Sequence, residues 1–222
     1  MHFKSLTLKA YGKRRLTFNI FSLVFVILFT HTSFSAAEIK KIVALGDSLT
    51  AGYGLPQSDA FPVQLEAALA EKGHQIRIEN AGVSGDTSTG GLQRLDWAIA
   101  GGADAVILEL GANDALRGIE PSVTKQNLDE ILKRLKEKSI PVFLTGMRAP
   151  PNMGIDYQTE FDGIFPELAE KHRVAFYPFF LDGVAAMPEL NQEDAIHPNR
   201  EGVALIVEKM LPSLIEFLNN PK

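Results

Sequence analysis

The 222 residues carry 27 Asp and Glu against 22 Lys and Arg, a formal net charge of −5 with His neutral, and no Cys. An acidic balance gives no electrostatic reason to bind nucleic acid or an anionic membrane surface. Without Cys there is no disulfide, no thiolate-held zinc and no thiol nucleophile, so the core must supply the stability.

The first 37 residues read as a separate unit. Lys4, Lys9, Lys13, Arg14 and Arg15 make a basic start with no acidic residue. An apolar stretch follows at 20–29, then small residues at Ser33, Ser35, Ala36 and Ala37. This is the layout of a secretory signal peptide, with cleavage fitting after Ala37 or after Ser35. The apolar core is well short of the about 20 residues that span a bilayer. The expectation is a signal peptide at 1–37 and a single domain at 38–222. The mature protein would be exported, periplasmic or secreted, with no stable membrane insertion. Cleavage removes five of the 22 basic residues and none of the 27 acidic ones, taking the net charge from −5 to −10.

Beyond residue 40, short apolar runs alternate with longer amphipathic segments. The runs at 42–45, 76–78, 105–110, 141–145 and 174–177 are nearly continuous and rich in β-branched residues, which suits strands covered on both faces. Between them the spacing predicts helices. Residues 61–72 put Phe61, Leu65, Ala68 and Leu69 on one face and stop before Gly73. Residues 90–100 space Leu92, Leu95 and Ile99 helically, and 125–138 do the same with Leu128, Ile131, Leu132 and Leu135. Helices at 162–172 and 201–218 follow, the last turning Val203, Ile206, Val207, Met210, Leu214 and Leu218 inward.

That alternation predicts an α/β domain, a parallel sheet of five strands sandwiched by helices in three α/β/α layers. Right-handed crossovers bring the carboxyl ends of all strands to one edge, where ligands bind in open α/β sheets. The polar motifs all follow strands. Asp47-Ser48 comes after the first, Ser84-Gly85-Asp86-Thr87 after the second and Gly111-Ala112-Asn113-Asp114 after the third. Arg148-Ala149-Pro150 comes after the fourth and Asp194-Ala195-Ile196-His197 after the fifth. One rim should therefore carry them all.

Ser48 is the candidate nucleophile, although alone it also reads as a turn or helix-cap serine. His197 is the candidate base: His2 and His31 leave with the signal, and His74 and His172 fall at predicted helix ends. Asp194, three residues earlier, can reach Nδ1–H and leave Nε2 facing Ser48. Glu193 is adjacent, but the shorter side chain fits the turn better. A developing oxyanion needs preorganised donors, and the Ser48 N–H, the Gly85 N–H and the Asn113 amide are candidates. Asp47 and Asp114 read as loop organisers, and Asp86 with Thr87 and Ser88 as the cap of the helix near Gly90.

Gly46-Asp47-Ser48-Leu49, Gly85, Gly111-x-Asn113-Asp114 and Asp194-x-x-His197, in that order, resemble the four blocks of the SGNH, or GDSL, hydrolases. Longer stretches at 46–53, 84–88, 111–118, 178–180 and 194–200 look like the periplasmic thioesterase I/protease I/lysophospholipase L1 (arylesterase) branch. The resemblance implies a flavodoxin-like, doubly wound sheet. It implies Ser48 as nucleophile, His197 as base, Asp194 as its partner, and an oxyanion hole from Ser48, Gly85 and Asn113. It implies no metal or other cofactor, and acyl esters, acyl thioesters, aryl esters or lysophospholipids as substrates; the expected state, apart from the resemblance, is a monomer. A segment at 115–120 matches a loop that shifts over the acyl group there. The rival readings are a carbohydrate O-acetyl esterase on the same fold, a metallophosphoesterase suggested by Gly46-Asp47 and Asn113-Asp114, and a binding module that has kept the pocket.

Overall fold

The computed structural model describes residues 40–221, so the expected signal peptide lies outside the described residues. Five strands run in parallel in the order β2-β1-β3-β4-β5. They are β1 (Lys41–Gly46), β2 (Arg77–Gly82), β3 (Ala105–Glu109), β4 (Val142–Thr145) and β5 (Ala175–Tyr177). Strand β1 lies between β2 and β3, with Leu45 opposite both Ala81 and Leu108. The side chains of Ile42 to Leu45 and of Ala105 to Leu108 are completely buried. Strands paired on both edges and covered on both faces meet no water, which is why they read as unbroken apolar runs.

Helix α2 (Phe61–Glu71) packs on α7 (Arg200–Asn219), while α3 (Ser88–Ala98) packs on α5 (Pro121–Glu137) and α5 on α6 (Ile155–His172). With right-handed crossovers those two groups cover opposite faces of the sheet. Fully buried phenylalanines fill the layers: Phe61 meets Phe180 edge-on at 5.0 Å, and Phe161 meets Phe165 at 5.6 Å. The chain moves outward from β1 to β2, then returns past β1 to β3. The strand order therefore reverses between β1 and β3, and the carboxyl ends at such a reversal are where open α/β sheets bind ligands. Two short helices occupy that place, α1 (Ser48–Ala51) after β1 and α4 (Ala112–Leu116) after β3.

The element types follow the sequence expectation and several bounds do not. Strand β2 runs over Arg77–Gly82 rather than 76–78. It is an edge strand paired only to β1, so Arg77 and Asn80 are exposed and break the apolar run. Helix α5 starts at Pro121, before its apolar stripe begins. Helix α6 starts at Ile155, seven residues ahead of 162, because its first turns face solvent and offer no periodicity to read.

Leu108 sits at the centre of the sheet between Leu45 and Leu144, fully buried. Leu108→Ala is expected to lose about 2–5 kcal/mol through lost transfer energy and the residual cavity. Urea unfolding should show a lower midpoint with an unchanged slope.

Candidate active site

Strand β1 delivers its chain directly into the site. Gly46 ends the strand, and a Cβ there would collide with the side chains of Thr50 and Glu109. Asp47 then caps α1, its Oδ1 accepting from the Leu49 N–H at 2.9 Å. Ser48 is the first residue of that helix, so its own N–H has no carbonyl one turn earlier to receive it. Gly52, in the left-handed conformation at φ +80°, donates its N–H to the Ser48 carbonyl and closes the turn. The strand, the cap and one helical turn together hold the Ser48 hydroxyl at the rim.

The segment between β5 and α7 brings the imidazole. His197 Nε2 lies 2.8 Å from Ser48 Oγ, and His197 Nδ1 lies 2.6 Å from Asp194 Oδ2. A carboxylate only accepts, so Nδ1 carries the proton given to Asp194, and Nε2 is left to accept from the Ser48 hydroxyl. Asp194 Oδ1 accepts from the N–H groups of Ile196 and His197, each at 2.9 Å. Ala195 adopts φ +59°, which lets the loop fold back on its own carboxylate within three residues. The acid in contact is thus Asp194 and not Glu193. Partial burial pushes the Asp194 carboxyl up, but the His197 N–H, the imidazole and the Ile196 N–H outweigh it and hold the group at about 2. Gln192 ties this loop to the turn after α1, its Nε2 donating to the carbonyls of Tyr53 at 2.7 Å and Pro198 at 2.9 Å. The Tyr53 ring lies 4.6 Å from the imidazole.

The three expected oxyanion donors sit on the loops after β1, β2 and β3. Asn113, in α4, donates one amide hydrogen to Asp47 Oδ2 at 3.0 Å, and the second remains. Gly85 lies at φ +82°, and Arg117 from the far end of α4 clamps its carbonyl at 2.6 Å. The Val83 N–H donates to the Gly46 carbonyl at 3.0 Å, so the Gly85 loop is anchored to the strand that carries Ser48. Asp114 points away from the crevice. It is buried and accepts from the Ser88 N–H and hydroxyl and from Thr124. Of the other described histidines, His172 ends α6 and pairs with Asp129 at 2.5 Å, away from this rim.

Residues 44–205 match the GDSL-like lipase/acylhydrolase family. The chain belongs to that family. Its members are ester hydrolases. The arylesterase of Vibrio mimicus is 38% identical over 197 residues, covering 88% of this chain and 98% of that protein. The thioesterase 1/protease 1/lysophospholipase L1 of Escherichia coli K12 is 37% identical over 198 residues, covering 89% and 92%. Among solved structures, the SGNH-hydrolase esterase AlinE4 is 47% identical with a TM-score of 0.69, covering 81% of this chain and 96% of that one.

Beneath the family's four blocks lies a layer that the sequence reading did not single out. Arg94 of α3 donates to the Gly46 carbonyl at 2.8 Å and the Ala81 carbonyl at 2.7 Å, joining the ends of β1 and β2. Its Nε pairs with Asp86 at 2.5 Å, so Asp86 serves Arg94 while Thr87 caps α3. Glu109, the last residue of β3, is completely buried, and its Oε2 accepts from the Asp47 N–H at 3.2 Å and the Thr50 hydroxyl at 2.8 Å. Arg94 is not marked by sequence alone, since it falls on a predicted helix, while Glu109 falls inside an apolar run. A charged residue embedded in that run was the available signal. Burial raises the Asp47 carboxyl to about 6 even though the Leu49 N–H, the Asn113 amide and His197 pull it down. Burial and the neighbouring Asp47 push Glu109 well above the ordinary carboxylate range.

The Asp47 shift has a consequence for stability. Its folded value, about 6, lies above the ordinary Asp value of ~3.9. The group's stabilising share is therefore full below the unfolded value and is lost as pH rises through the folded one. Asp47→Asn should gain stability relative to the parent between about pH 4 and pH 7, by on the order of 2–3 kcal/mol. Urea midpoints of both proteins at the two pH values check the sign; a difference that shrinks with rising pH would contradict it.

Proposed function

We propose that this chain is an exported serine esterase and thioesterase in which Ser48 is the nucleophile, His197 the general base and Asp194 its partner. The observation that carries this is the Ser48–His197–Asp194 chain at 2.8 and 2.6 Å. His197 Nε2 takes the Ser48 proton as Oγ attacks the acyl carbonyl. The Ser48 N–H, the Gly85 N–H and the Asn113 amide stabilise the oxyanion of the tetrahedral intermediate. The intermediate collapses as His197 returns the proton to the departing alcohol or thiol. Water, deprotonated by His197, then attacks the acyl-Ser48 carbonyl, and the second collapse frees the acid and restores the hydroxyl.

The relatives' names supply the substrate classes: aryl esters, acyl thioesters and lysophospholipids. Apolar side chains on the same loops support acyl recognition. Tyr53, Val83, Leu116 and Ile196 are all exposed next to the site residues. The basic, apolar and small-residue start at 1–37 supports export. Among the described residues no helix is long and apolar enough to cross a membrane.

Ser48→Ala and His197→Ala should each lower kcat by about 10⁴ or more while the circular dichroism spectrum stays unchanged. A fluorophosphonate probe should label the parent at Ser48. Folded Ser48→Ala that hydrolyses p-nitrophenyl esters at the parental rate would end the assignment. Asn113→Ala should lower kcat by about 10²–10³ with a small change in KM. Rates across p-nitrophenyl esters of graded length, acyl-CoA thioesters, lysophosphatidylcholine and acetyl-xylan should favour the medium and long acyl groups over acetyl-xylan.

A further inference from the structure

Glu109 is a carboxyl group with too few donors. Oε2 is satisfied by the Asp47 N–H and the Thr50 hydroxyl, but Oε1 is buried with no hydrogen-bond donor facing it. Asp47 carries the neighbouring carboxyl: its own N–H already donates to Oε2 at 3.2 Å, and the two buried side chains interact closely. Two ionised carboxyls in a buried contact repel, and each is denied the hydration that would offset its charge. A proton on Oε1 resolves both defects, because a carboxylic acid donates where a carboxylate cannot. The proton belongs on Glu109 because Asp47 already has donors: Oδ1 takes the Leu49 N–H at 2.9 Å and Oδ2 takes the Asn113 amide at 3.0 Å. Arg94 spends its guanidinium on the Gly46 and Ala81 carbonyls and on Asp86.

We propose that Glu109 is a positioning residue for the oxyanion site: held as the neutral acid, it donates a hydrogen bond from Oε1 to the Asp47 carboxylate, and so fixes the group that orients the Asn113 amide. The proposal rests on the assignment of Ser48 and Asn113 above and extends it one layer down. Glu109 touches no substrate. It acts through Asp47, which orders both the start of α1, with Ser48, and the side chain of Asn113. An apolar pocket that keeps a carboxylic acid neutral at pH 7 is an attested device in enzymes; here the acid's acceptor is another carboxyl.

The test is a pair of substitutions and one spectrum. Glu109→Gln is the isostere of the neutral acid: its oxygen accepts from the Asp47 N–H and Thr50, and its NH₂ donates to Asp47. It should keep kcat within a few fold of the parent. Glu109→Ala should lower kcat by about 10- to 100-fold, below the 10²–10³ lost with an oxyanion donor itself, with KM little changed. Infrared difference spectra of the parent against Glu109→Gln at pH 7.5 should show a protonated-carboxyl C=O band that the variant lacks. That reading is independent of whether Glu109→Ala folds. Absence of the band, or a Glu109→Gln enzyme as slow as Glu109→Ala, overturns the proposal. Fluorophosphonate labelling of Ser48 in the parent separates the two levels: labelling with no protonated-acid band removes the role of Glu109 alone, whereas no labelling removes the functional reading on which it rests.

Discussion

The 2.8 Å contact between Ser48 and His197 joins residues separated by 149 positions, and no local structure could hold it. It exists because both residues hang from the same edge of one parallel sheet. Ser48 is held by β1, a central strand with every apolar side chain buried. His197 is held by a loop that closes on itself through Asp194 and on the other side of the crevice through Gln192. The rigid partner is the strand, and the loop is brought to it. Closing so long a segment costs conformational entropy, which the core offsets well away from the site.

That division explains the character of the residues at the rim. Strands β1 and β3 are apolar until their last positions, and there the chemistry changes abruptly to Gly46-Asp47-Ser48 and Glu109-Leu110-Gly111. Polar groups at those ends leave water, so each one must be paired. Asp47 serves Leu49 and Asn113, Asp114 serves Ser88 and Thr124, and Arg94 serves two strand-end carbonyls. A raised Asp47 carboxyl is the mark of this arrangement, since burying a charge costs free energy even where donors surround it. The site therefore trades stability for fixed geometry, in keeping with preorganised polar groups that need no rearrangement during reaction.

The three loops that carry the proposed oxyanion donors are also tied to one another. Val83 reaches back to Gly46, Asn113 to Asp47, and Arg117 across to Gly85. Each tie crosses from one strand's loop to another's. Substrate would meet donors already spaced, with exposed apolar side chains such as Leu116 and Ile196 beside them. The order of strands supplies this: β1 and β3 are neighbours at the topological reversal, the place where ligands bind in open α/β sheets.

Much of this was legible in the sequence. Continuous apolar runs marked the buried strands, helical spacing marked the layers, and the polar motifs after each strand marked the rim, because periodicity and burial are local properties of a chain. The edge strand β2 and the first turns of α6 were read short, since their exposed faces carry no such signal. The shared rim was legible too, but the contacts that build it were less so. Ser48 by itself also read as a capping serine, Asp194 was preferred to Glu193 only for its shorter side chain, and Arg94 and Glu109 looked like parts of a helix and a strand. The sequence by itself determined the element types, their order and the chemical groups at the carboxyl edge. Only the tertiary structure fixed the 2.6 Å contact of Asp194 with the imidazole, and brought Asp47 and Glu109 into one buried place. Those outcomes depend on backbone angles such as φ +59° at Ala195 and on contacts between residues more than 60 positions apart, which no local pattern encodes.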